Sequence, residues 1–114
     1  MPTVRVPLDR LGVPLAEFAA VLNAAGHLWH ADQKDRYLGA VRTTLEWVAG
    51  IHDQHPLTGV HQPGDAEARF ALQMQADAIV YGWPDALAGV HPEWAVGVAA
   101  AIAWARGVQS RRPL

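Results

Sequence analysis

HPEWAVGVAAAIAWARG, residues 91–107, is the stretch on which the fold of this chain turns. Pro92 and Glu93 suit a first helical turn: proline has no N–H to waste there, and the carboxylate sits at the positive end of the helix dipole. Between Glu93 and Arg106 no side chain is charged. Gly97, Ala99, Ala100, Ala101, Ala103 and Ala105 keep the helix thin, so a neighbouring backbone can come close. A helix that is apolar all round is a buried one. This segment is therefore either the centre of its domain or a face awaiting a partner.

The rest of the chain supplies three more helices. A first helix is expected from Pro14, with Leu15, Phe18, Leu22 and Ala25 as its apolar stripe and Gly26 as a left-handed stop. A second is expected from Asp32, with Asp35 in its first turn, Leu38, Val41, Leu45 and Val48 facing the core, and Gly50 at its end. A third runs from Asp65 to about Gly82, and Pro84–Ala88 suggests a further short helical turn. The third helix carries two apolar faces, Phe70/Met74/Ala78/Tyr81 and Leu72/Ala76/Ile79. Contact on two sides predicts a central position for it. Residues 51–64 (IHDQHPLTGVHQPG) show no periodicity and read as a long loop. Pro2, Pro7, Gly12 and Pro14 predict an extended N-terminal segment, in which Thr3–Val6 has the composition of an edge strand.

A shift of half the 114-residue length lays the second helix on the fourth. Val41 then meets Val98, Trp47 meets Trp104, Gly50 meets Gly107, Pro56 meets Pro113 and Leu57 meets Leu114. Leu45 and Ile102 are near matches, as are Ile51 and Val108. The expected fold is thus an all-α, compact four-helix domain built from helical hairpins 14–50 and 65–107 around a pseudo-twofold axis.

Composition narrows the function classes. Hydrophobic residues make up 51% of the chain and charged ones 18%, ample for a single core. There is no cysteine, which removes disulfides and thiolate chemistry. The net charge of −2 gives no general attraction to nucleic acid or anionic lipid. Residues 94–105 form the longest uncharged apolar run, short of the ~20 residues of a membrane span. MPTVRVP has no signal-peptide core, so a soluble, cytoplasmic chain is expected. Eight arginines against the lone Lys34 match a GC-rich bacterial coding bias.

Three groups of residues invite a functional reading. Trp47, Trp94 and Trp104 offer large rigid surfaces of the kind that anchor protein partners, or else they plug the ends of a bundle. His27/His30 and His52/His55 form two HxxH pairs, with His61 and Asp53 nearby. Imidazoles that converge can hold zinc, nickel or copper, but neither pair has the HExxH form, and histidine also caps helix ends. Asp77, beside Met74 and Tyr81, is a carboxylate in apolar company and a candidate acid or base. No GxGxxG, GxxxxGK[ST] or GxSxG is present, and the fourth helix lacks the exposed basic side chains of a recognition helix.

The leading expectation is a non-enzymatic helical module that works by protein–protein contact or self-association, with no cofactor. A histidine-cluster metal or acid–base site in the loops after the first two helices is the second reading. A small nucleic-acid-binding regulator using Arg106, Arg111 and Arg112 is the third.

Overall fold

The computed structural model describes residues 11–114, in four helices: α1 Leu15–Ala31, α2 Arg36–Val48, α3 Ala66–Tyr81 and α4 Pro92–Ala105. The expected Thr3–Val6 strand, with most of the extended N-terminal segment, lies outside the described residues. Among those residues no strand forms, and no helix is long and apolar enough to cross a membrane.

α4 is the centre. It packs between α2 and α3, while α1 packs on α2. Ala95, Gly97, Val98 and the run Ala101–Ala105 are buried. Its small residues are used where it crosses α2: a Cβ on Gly97 would lie 2.7 Å from Ala40 Cβ and 2.8 Å from the Tyr37 carbonyl oxygen. The expectation of a central third helix is corrected by this arrangement. α3 fills only its Ala68/Leu72/Ala76 face with core, because the uncharged α4 takes the middle position instead.

Two boundaries also differ from expectation. α1 runs through Gly26 and ends at Ala31, with the Asp32 N–H closing onto the Leu28 and Trp29 carbonyls. Gly26 is a weak helix former rather than a stop, and the buried Phe18, Val21, Leu22 and Ala25 outweigh its cost. α2 starts one turn later than expected. Asp35, not Asp32, is its cap and accepts from the Leu38 N–H at 3.0 Å. Pro84–Ala88 forms a turn closed by Ala86 N–H onto the Trp83 carbonyl, not a helix.

α2 and α4, with the tails that follow them, correspond under the half-length shift, whereas α1 and α3 do not. The buried Phe18, Val21, Leu22 and Ala25 fall on Gln75, Ala78, Ile79 and Gly82, while α3 buries Ala68, Arg69, Leu72 and Ala76. α2 and α4 end in the same left-handed stop, Gly50 at φ 78° and Gly107 at φ 74°. Each stop has the same paired bonds: Gly50 N–H to Trp47 O and Ile51 N–H to Glu46 O, Gly107 N–H to Trp104 O and Val108 N–H to Ala103 O. Tyr37 and Trp94 occupy matching positions under the half-length shift. The Tyr37 hydroxyl donates to the Pro113 carbonyl, and the Trp94 indole N–H donates to the Pro56 carbonyl at 2.8 Å. Each half thus receives the tail of the other. That reciprocal exchange is what a twofold relation produces, with the close Ala40–Gly97 contact at its centre.

Candidate interaction face

α3 is fixed at both ends. Asp65 accepts from the Ala68 N–H at 2.8 Å, and Gly82 closes the helix at φ 70°. Arg69, buried at the first turn, donates to the Gly64 carbonyl at 2.7 Å and the Val48 carbonyl at 3.1 Å, tying α3 to the end of α2. With the core face so anchored, helical spacing sends Phe70, Met74, Asp77 and Tyr81 to the opposite side. Phe70 is 53% exposed, Met74 47% and Tyr81 69%. Trp83 stacks on Tyr81 with ring centres 6.0 Å apart and is itself 46% exposed.

Two depressions flank this stripe. A groove of about 420 Å³ runs between α3 and α4, walled by Val80, Val96, Ala99 and Val108, with Asp77 and Tyr81 on one side. A hollow of about 260 Å³ on the other flank is lined by Met74, Ala78, Trp83, Asp85 and Leu87. Burial in the groove wall pushes the Asp77 carboxyl up from the usual carboxylate range, and a hydrogen bond with Gln73 partly opposes it. The Arg106 guanidinium lies 5.0 Å over the Phe70 ring and donates to Gln73 Oε1.

The residues nominated from sequence fall elsewhere. Trp47 and Trp104 are buried, at 0% and 1% exposure, so neither is offered to a partner. Their rings are core: Trp104 stacks on Phe18, and the Trp47 indole N–H donates to the Gln62 carbonyl at 2.7 Å. Trp94 is half-buried over the Pro56 carbonyl. His27 and His30 lie exposed on the last turns of α1, because that helix outlasts Gly26. His52, His55 and His61 belong to the 51–64 loop, whose Gln54–His61 bridge folds it back on itself. Among the described residues no three histidines or carboxylates converge as a metal ligand set. The loop histidines act on the backbone instead. His52 Nδ1 accepts from the Gln54 N–H, and His55 Nδ1 from the Leu57 and Thr58 N–H groups. Of the three arginines, Arg106 covers Phe70 and Arg112 pairs with Glu17 at 3.0 Å, while Arg111 is exposed.

His55 is buried edge-on to Trp47, ring centres 5.7 Å apart, and burial lowers its pKa against the opposing hydrogen bond with Gln75. A base with a lower pKa folded than unfolded binds more protons when unfolded, so stability is full above its unfolded pKa, ~6.5, and falls as pH drops below that. The urea midpoint is therefore expected to be lower at pH 5 than at pH 7.5. His55→Asn, whose side-chain oxygen can still accept from the loop N–H groups, is expected to flatten that difference. An equal slope in wild type and His55→Asn would assign it to other groups.

The signal for this exposed apolar face was present in the sequence as the second apolar stripe of the third helix. What it lacked was the knowledge that α4, not α3, occupies the middle. Trp83 and Arg106, which extend and edge the face, are brought there by the turn after α3 and by the end of α4. Neither spacing nor composition marks such a meeting. The chain matches no known protein family, no curated protein and no solved structure.

Proposed function

We propose that this domain is a non-catalytic protein–protein interaction module of the cytoplasm, and that the outward face of α3 is its docking surface. One observation carries the reading: α3 has two apolar faces, and the described residues bury only one of them. Phe70, Met74, Tyr81, Trp83 and Leu87 leave roughly 500 Å² open, taking aromatic side chains at about 150–250 Å² each. Val80, Val96 and Val108 extend the patch across the groove. An apolar area of this size lies within the range of the largest patch a monomer exposes, and such patches are often contact sites. Tyrosine and tryptophan, stacked together on this face, are among the residue types that dominate binding energy.

A photo-reactive amino acid placed at position 74 or 81 in cells that make the protein tests the reading. A discrete protein adduct at both positions is expected, with none from exposed position 27 on α1. No adduct from either position 74 or position 81 would overturn it.

A further inference from the structure

The occupant of the α3 face is constrained by the charges around it. Glu67 precedes Phe70 by three residues and Met74 by seven, so helical spacing puts it at one end of the stripe, where it is exposed. Asp77 lines the groove at the middle, and Asp85 lines the hollow beyond Met74. The C-terminal carbonyl end of α3 adds partial negative charge beside Tyr81. Against these stands Arg106, already stacked on Phe70 and bonded to Gln73. The single lysine, Lys34, lies in the turn between α1 and α2. Among the described residues, Glu67 and Asp85 have no ion pair. The face is apolar along its spine and acidic along its edges.

Resting on the reading above, we infer that this face takes a basic amphipathic helix of another protein, with apolar side chains along the Phe70–Tyr81 stripe and lysines or arginines over Glu67, Asp77 and Asp85. The stripe spans eleven residue steps, ~16 Å, or three turns. A helix presenting apolar residues at i, i+4, i+7 and i+11 matches that length and can settle into the flanking groove. The same charges disfavour a second copy of this chain. An α3-on-α3 pairing would gather Glu67, Asp77 and Asp85 twice over, with Arg106 the cation that the described residues place on each face, and like charges brought together at an interface oppose it.

Two synthetic helical peptides of about 18 residues test the inference on the full chain. They share one leucine stripe, and their flanks carry lysine in one and glutamate in the other. By fluorescence anisotropy the lysine peptide is expected to bind at least about tenfold more tightly, with affinity falling as salt rises. Glu67→Lys with Asp85→Lys, both exposed positions, is expected to reverse the preference, while Asp32→Lys between α1 and α2 leaves it unchanged. Circular dichroism confirms that each variant is folded. Equal binding of the two peptides, binding of neither, or an unchanged preference in the double variant would overturn the inference. Cross-links from position 81 to a partner without a basic helix, or to a second copy of this chain, would also overturn it and leave the interaction reading standing. No adduct from either position 74 or position 81 removes both.

Discussion

Replacing Gly97 by valine is expected to cost about 3 kcal/mol and to lower the melting temperature by roughly 12–20 °C. The reason is the crossing of α2 and α4. A Cβ at position 97 meets Ala40 Cβ at 2.7 Å and the Tyr37 carbonyl oxygen at 2.8 Å, and the second of these is helix backbone that cannot swing aside. Valine would gain only about 0.5 kcal/mol of helix propensity over glycine, too little to offset separating the two central helices. Gly26 supplies the opposite case within the same protein. It lies inside α1, and a methyl group there would have no neighbour within 4 Å, so Gly26→Ala is expected to stabilise by about 0.5–1 kcal/mol. Thermal and urea denaturation followed by circular dichroism reads both. An unchanged melting temperature for Gly97→Val would mean that α2 and α4 do not approach as closely as described.

These two glycines also show what was legible in the sequence. The thinness of the fourth helix was visible in its run of small residues, and its burial follows directly from the absence of charge between Glu93 and Arg106. Gly26 carried no such context. Its stop signal and its tolerance inside a helix are identical at the level of residue type, and only the stripe Phe18/Val21/Leu22/Ala25 packing on α2 decides between them. The pseudo-twofold pattern was readable as identities at a fixed shift, whereas the exchange of Tyr37 and Trp94 between halves was not, since the two residues differ in type and share only their hydrogen-bond role. Which apolar face of α3 is spent on the core depends on which helix occupies the centre. A stripe has the same periodicity whether it meets α4 or water, and so the outward face could not be told from the inward one by spacing. Arg69 escaped for a related reason: among its partners is the carbonyl of Val48, at the end of α2 and twenty-one residues away.

Trp47→Ala is expected to destabilise by about 3–5 kcal/mol, a large share of the ~5–15 kcal/mol that holds a domain together. Trp47 is fully buried, and its removal takes away the edge contact with His55 and the indole N–H that the Gln62 carbonyl accepts. Gly64 passes so near that a Cβ there would lie 2.9 Å from the Trp47 carbonyl oxygen, so the end of the 51–64 loop is moulded to this residue. Trp47→Phe separates the contributions: it keeps most of the ring and forfeits the bond to Gln62, for an expected loss of about 1–3 kcal/mol including the stranded carbonyl. Tyr81→Asp should behave in the opposite sense. Tyr81 is mostly exposed, so its replacement is expected to move the urea midpoint by an equivalent of no more than ~0.5 kcal/mol. Under the proposed function it should weaken a partner docked on α3 by about thirtyfold, the ~2 kcal/mol loss of an aromatic anchor. On that proposal Trp47 holds the fold and Tyr81 serves binding, and a single pair of measurements tests that division. Stability lost with Trp47 and kept without Tyr81 supports it; a Trp47→Ala variant that unfolds like wild type would return Trp47 to the surface.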